Sequence, residues 1–256
     1  MIDPRAIIAP DAEIAEGVAI GAFTIIGPGV RIGAGSWIGP HAVINGPTTL
    51  GRENKVFQFA SVGDAPQDKK YRGEPTRLEV GDRNVFREFC SVNRGTVNGR
   101  GVTKIGDENL FMAYSHVAHD CIVGSNCVMS NCTALAGHVE LGDWVILSGY
   151  AGIHQFCKVG SHSFLANNAA VTRDVPPYLL VAGTPAEPRG VNSEGLKRRG
   201  FGPEQIANIR NAYRLLYRSG LKLAAATEQL QALAADQPEL LPFVQFLAAS
   251  ERSIIR

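Results

Sequence analysis

The sequence predicts a mainly β protein: a parallel β-helix of hexapeptide repeats over residues 1–190, followed by a small C-terminal α-helical domain over 191–256. Three observations carry this prediction. Aliphatic residues recur every six positions, from Ile2, Ile8, Ile14 and Ile20 to Leu50, Val56 and Val62. The residue after each is usually small, as at Ala9, Gly21, Gly27 and Gly51. From about Val191 the apolar spacing becomes helical. A six-residue period fits neither the roughly 3.6-residue repeat of a helix nor the two-residue repeat of a long strand. It fits short strands joined by tight corners, each sending one aliphatic side chain inward. Three such strands make one triangular coil of about 18 residues, with equivalent positions stacked about 4.8 Å apart.

The first run, Ile2 to Val62, is unbroken. A loop over 64–77, reading DAPQDKKYRGEPTR, then interrupts it with a cluster of charges. The rhythm returns at Val80, Phe86 and Val92, stops over the glycine-rich loop 94–104, and resumes from Ile105 to Val171. Loops on a rigid scaffold often carry function, so both are candidate binding segments. Gly202-Pro203 then marks a helix start, with proline in the first turn. Ile206, Ile209, Tyr213 and Leu216 line one face of that helix, and Ser219-Gly220 ends it. A second helix is expected over Leu221 to Ala235 and a third after Pro238. Together they cover the open sheet edge at the end of the solenoid. Between 190 and 222, Lys197, Arg198, Arg199, Arg210, Arg214, Arg218 and Lys222 outnumber Glu194 and Glu204. Such a surface suits an acidic partner or phosphate groups.

Composition narrows the function classes. The net charge of +1 argues against a nucleic-acid binder that works through bulk charge. No apolar run approaches the roughly 18 residues of a membrane span. The N-terminus, MIDPRAIIAP, lacks the basic and apolar regions of a secretory leader. Cys90, Cys121, Cys127, Cys132 and Cys157 form no CxxC pair, so free thiols in a reducing cytoplasm are expected.

The stretch His116 to His138, HVAHDCIVGSNCVMSNCTALAGH, concentrates the chemistry. One coil on from His119 is Gly137, and one coil further is Gln155; one coil on from Asp120 is His138. Uninterrupted repeats would stack these groups. A histidine beside a carboxylate suits general-base work, because the carboxylate fixes its tautomer. The Gly137 amide, free of side-chain bulk, could face a developing oxyanion. Two alternatives stay open. One is a trimeric β-helix that holds zinc through histidines of two subunits, although His116 and His119 are closely spaced for that arrangement. The other is a β-helix that binds its ligands without catalysis.

The motifs HVAHDC, TALAGHV, GIHQFC, GEPTR, NRGT, DVPPY and NSEGLKRRGF resemble, across essentially the whole chain, the UDP-N-acetylglucosamine acyltransferases that start lipid A synthesis. These belong to the hexapeptide-repeat acyltransferases, whose coils form a left-handed parallel β-helix and which assemble as homotrimers. The resemblance implies that His119 is the general base, that Asp120 orients it, and that the Gly137 amide holds the oxyanion. It implies direct attack on a (3R)-3-hydroxyacyl thioester of acyl carrier protein, with no metal and no cofactor beyond that carrier's phosphopantetheine. Asp68 and Lys70 match positions that contact the glucosamine or the acyl hydroxyl. His116, His138, His154 and Gln155 match the sugar and pantetheine cleft. Asn192, Glu194, Arg198 and Arg199 match the uridine-diphosphate site. Asn93 stands where the family carries histidine. Asn167 falls where a side chain limits acyl length, and its intermediate size implies a preference for shorter hydroxyacyl chains.

Overall fold

The computed structural model describes residues 1–256. Its strands form three long sheets of nine, eight and ten strands. The chain visits them in rotation, as in the coil Leu110–Phe111, His116–Val117 and Ile122–Val123. The solenoid strands pair in parallel, and partners outside the loops are eighteen residues apart, as in Ile7 with Ile25 and Val117 with Leu135. The result is a left-handed parallel β-helix. The hexad residues point inward: Ile38, Ile44, Val56, Val62, Phe86 and Leu135 are fully buried. Phe86 and Phe111 stack inside the prism, ring centroids 4.8 Å apart, filling volume that aliphatics occupy in other coils.

Most corners hold one residue with positive φ, such as Tyr114 at 63°, Asp120 at 60° and Asn126 at 60°. Few of these are glycines, and stacking of the corner side chains offsets the local backbone cost. Phe23, His41, Phe59, Phe89 and Tyr114 form a ladder along the corner between the ten- and nine-stranded sheets, with centroids 4.8–5.4 Å apart. A second ladder runs inside the corner between the eight- and ten-stranded sheets. There Asn54 accepts from the amide of Asn84, Asn84 from Asn109, and Asn109 from Cys127, while each side-chain amide donates to a glycine carbonyl.

The two loops span 65–76 and 94–101 between strands. Both leave the corner between the nine- and eight-stranded sheets, and so does the turn that carries His119. Pairing passes across them without loss of phase, Leu50 to Val80 and Val80 to Ile105. The loops therefore decorate one edge of an otherwise continuous prism.

Beyond the last hexads, Leu179–Ala182 and Glu187–Val191 form an antiparallel hairpin that ends the ten-stranded sheet. Four α-helices follow: α1 (Ser193–Arg198), α2 (Pro203–Arg218), α3 (Leu223–Ala234) and α4 (Leu241–Ala249). The hairpin and α1 are departures from the sequence-based expectation. α1 has one buried apolar residue, Leu196, too little for a periodic signal. It exists because Asn192 caps it, accepting from the Gly195 amide at 3.2 Å. Asp174, fully buried, ties the C-terminus to the last coil: it accepts from the Lys158 amide at 2.8 Å and from Ser250 Oγ at 2.7 Å. Asp174→Ala is expected to lower stability by about 2–3 kcal/mol, read as an earlier urea midpoint, with Asp174→Asn costing less.

Cys90, Cys121, Cys127 and Cys157 are buried and free, and Cys132 is half-buried and free. Burial pushes the Cys121 and Cys127 thiols up to about 12. No helix is long and apolar enough to cross a membrane.

Candidate active site

A cavity of about 550 Å³ opens at the corner between the nine- and eight-stranded sheets. The first loop contributes Gln67, Asp68, Lys69 and Lys70, and the second contributes Thr96 and Asn98. Successive coils contribute His119, His138, Gln155 and Phe156. The convergence follows from the repeat: His138 and Phe156 occupy one corner column, one coil apart, and their rings stack at 4.4 Å. The His119 ring meets His138 edge-on at 5.2 Å.

His119 Nδ1 donates to Asp120 Oδ2 at 2.9 Å, which fixes the tautomer and leaves Nε2 free. One coil away, a Cβ built on Gly137 would lie 2.6 Å from His119 Cε1 and 2.8 Å from Nε2. The imidazole thus occupies the space a side chain at 137 would need. The Gly137 amide donates to no acceptor in the protein, because corner geometry aims it away from the sheet ladders. A proton acceptor and an unspent amide donor therefore share one small volume.

Asp120 is fully buried, so its charge must be met within the fold. Oδ1 accepts from the Arg100 amide at 2.8 Å, and Oδ2 from Thr96 Oγ at 2.6 Å as well as from His119. The Thr96 amide adds a longer bond at 3.1 Å. Burial alone would push this carboxyl up; the bonds from His119, Thr96 and Arg100 together outweigh it and hold the group at about 2. Its folded value lies below its unfolded one. The stability it contributes is therefore present above about pH 4 and lost as pH falls toward 2. Burial, and then the neighbouring His119, pushes His116 down. Burial also pushes His138 down, against the attraction of Asp120. Both imidazoles are neutral near pH 7 and act as hydrogen-bonding groups.

His119, Asp120 and His138 offer ligand atoms within 4.8 Å of one another, a span that a cation could bridge. Both oxygens of Asp120 already accept hydrogen bonds, however, and His119 Nδ1 is spent on one of them. A metal would have to displace the loop donors first.

The other sequence-derived candidates are spread over the prism. His116 lies on the outer face of the nine-stranded sheet, its Nδ1 2.7 Å from Ser91 Oγ. His154 and Gln155 are exposed in the turn one coil beyond His138, and His154 Nδ1 lies 3.1 Å from the Gln155 carbonyl. Asn93 is buried; its Nδ2 donates to the Ala65 carbonyl, while Oδ1 has no partner. Asn192, Glu194, Arg198 and Arg199 sit beside a different edge, between the eight- and ten-stranded sheets. There Asn192 Nδ2 donates to the His162 carbonyl at 2.8 Å and Arg199 lies over the Trp144 ring at 5.2 Å. Glu194 pairs with Lys197, and Arg198 is exposed. Asn167 is exposed on the third edge, beside Asn168. One chain thus gathers Asp68, Lys70, His119, Asp120, Gly137, His138 and Gln155, but leaves the 192–199 group and Asn167 apart.

Sequence reasoning did not single out Thr96, Asn98 and Arg100. The signal was available: Val62, Val92 and Val117 hold the same position in the coil, so both loops leave where the His119 turn leaves.

Comparison with known proteins finds relatives along the whole chain. Residues 174–255 match the family model described as Udp N-acetylglucosamine O-acyltransferase, domain 2, and residues 103–137 match the bacterial transferase hexapeptide repeat. A protein of Stutzerimonas stutzeri named acyl-[acyl-carrier-protein]--UDP-N-acetylglucosamine O-acyltransferase is 51% identical, over 100% of this chain and 99% of its own. A protein of the same name from Thiobacillus denitrificans is 53% identical, again over 100% of this chain and 99% of its own. The solved UDP-N-acetylglucosamine acyltransferase of Francisella novicida superposes with a TM-score of 0.98 at 42% identity, covering 100% of this chain and 94% of that one. Full-length identity of this size, together with the repeat and the C-terminal match, places the chain in the UDP-N-acetylglucosamine O-acyltransferase family.

Proposed function

We propose that the protein transfers a (3R)-3-hydroxyacyl group from acyl carrier protein to the 3-hydroxyl of UDP-N-acetylglucosamine, the first step of lipid A biosynthesis. The observation that carries this reading is the contact between His119 and Gly137: a base with one free nitrogen lies against an unspent amide. His119 Nε2 takes the proton from the sugar hydroxyl as O3 attacks the thioester carbonyl. The new C–O bond forms and the carbonyl oxygen, now negative, accepts from the Gly137 amide. The C–S bond then breaks, and the imidazolium returns its proton to the thiolate. Asp68 and Lys70 close the cavity over the sugar, and Gln155 and His138 line its far side. The carrier's phosphopantetheine thioester brings the acyl group, and the reading needs no further cofactor or metal. The free cysteines suit a cytoplasmic setting.

The working unit in this reading is a homotrimer. The nine-stranded sheet shows an uncharged outer face of mostly small residues, with Ala134, Gly152 and Ala170 beside the hydrogen-bonded pair Ser91 and His116. The ten-stranded sheet shows Val85, Leu110, Val128, Ile146 and Phe164. The eight-stranded sheet instead shows Glu13, Arg31, Glu79, Lys104, Glu140 and Lys158. A cyclic assembly needs two different complementary faces per subunit, and these two faces lack the row of charges that the third carries. Packing the first against the second of a neighbour buries the edge that carries Phe59 and Tyr114, 51% and 58% exposed in one chain. It also brings a neighbour's Arg198 and Arg199 toward the His119 edge, where guanidinium groups suit a diphosphate. The basic surface of α2, with Arg210, Arg214 and Arg218, is suited to acidic acyl carrier protein.

Incubation with UDP-N-acetylglucosamine, and in parallel with its 3-amino analogue, and a mixed pool of (3R)-3-hydroxyacyl carriers tests the reading. The expected product, by mass spectrometry, is one 3-O-acyl ester; no acylated sugar, or acylation only of a 3-amino acceptor, would overturn it. The same pool reads chain length. The wild type is expected to favour shorter donors and Asn167→Gly longer ones, because in the trimer the acyl chain would run between sheet faces from the His119 edge toward Asn167. An optimum at the longest donors, unchanged in Asn167→Gly, refutes this role for Asn167.

A further inference from the structure

We propose that Thr96 is a positioning residue that decides which of two imidazoles pairs with Asp120, an inference that rests on His119 being the base. Asp120 Oδ2 has two ring nitrogens near it, His119 Nδ1 at 2.9 Å and His138 Nε2 at 3.8 Å. Only the first is within hydrogen-bond distance. The two rings meet edge-on in adjacent coils at the same corner, and both present a nitrogen to the same carboxylate oxygen. The carboxylate's rotation decides between them, and the second loop sets that rotation.

The loop is built for this. The Thr96 carbonyl accepts from the amides of Gly99 and Gly101, closing a tight turn that presents the Thr96 and Arg100 amides to one carboxylate. The Arg100 amide takes Oδ1 at 2.8 Å and Thr96 Oγ takes Oδ2 at 2.6 Å. The main chain is held as well: the Asp120 amide donates to Thr103 Oγ at 2.9 Å, and Arg100 Nη1 donates to the Asp120 carbonyl at 2.8 Å. The Arg100 guanidinium reaches on to Glu140, so the loop is anchored to the next coil. Of these donors, the Thr96 hydroxyl is the one side-chain group that shares Oδ2 with His119. Without it, only the longer bond from the Thr96 amide, 3.1 Å, opposes a turn of Oδ2 toward His138, and the bond that keeps the His119 proton on Nδ1 weakens.

The test uses the full-length enzyme, with acyl transfer and imidazole ¹⁵N spectra as paired readouts. Thr96→Val keeps the shape and removes the hydroxyl. It is expected to lower kcat by about ten- to a hundredfold, the scale of one lost charge-assisted hydrogen bond, with KM for the nucleotide sugar little changed. The His119 ring is expected to pass from one tautomer, protonated on Nδ1, to a mixture, while the His138 resonances shift. Thr96→Ser should restore both the rate and the single tautomer. Thr96→Ala offers the same test should the valine variant fail to fold. Wild-type kcat in the folded variant, or a lost rate with His119 ring spectra unchanged, overturns the inference. If the wild type forms no ester, the proposed function falls, and the ring spectra still decide whether Thr96 selects between the imidazoles.

Discussion

His119→Ala is expected to lower kcat by roughly three orders of magnitude, the usual scale for loss of a positioned general base, while the chain stays folded. The expectation rests on what the substitution leaves behind. Asp120 keeps its bonds to Thr96 and Arg100, so no buried charge is stranded. His119 lies in a corner turn outside the hexad core, so no aliphatic packing is lost. The Gly137 amide remains in place, so part of the rate enhancement should survive. Steady-state kinetics beside a circular dichroism melt checks both halves. Turnover within a few-fold of wild type would remove His119 from the chemistry; collapse of the melt would make its role structural.

Gly137→Ala is expected to cost about a hundredfold in kcat although it replaces no titratable residue. The added methyl would sit 2.6 Å from His119 Cε1 and 2.8 Å from Nε2, inside any tolerable contact. The ring cannot yield cheaply, because its Nδ1 is bound to a carboxylate that is itself held by the second loop. Either the imidazole tilts off its bond to Asp120, or the corner at 137 moves and takes the amide with it. Both outcomes separate the proposed base from the proposed oxyanion donor. The ¹⁵N ring spectrum of the variant tells them apart, and an unaltered ring with unaltered kcat would show that the contact carries no catalytic weight.

Most of this architecture was legible in the sequence, and the reason is the repeat. Once Val117 and Leu135 are read as inward residues of one column, His119 and Gly137 must be neighbours, and the structure places them in contact. The same logic reaches His138 from Asp120. Legibility fails where geometry leaves the repeat. Thr96 and Arg100 approach Asp120 through a non-repetitive loop, and no period predicts which of its atoms turn inward. The hairpin from Leu179 to Val191 and the six-residue α1 were also missed, since each rests on local hydrogen bonds and not on apolar spacing. The Asn54, Asn84 and Asn109 ladder was hidden for a further reason: the loops shift its members out of the eighteen-residue step.

The charged outer row of the eight-stranded sheet has a practical use. Glu13 pairs with Arg31 and Glu79 with Lys104, surface contacts that contribute little to stability. A cysteine-directed dye or tether fixed to an Arg31→Cys or Lys104→Cys variant is expected to report on the enzyme, or immobilise it, with little disturbance to turnover.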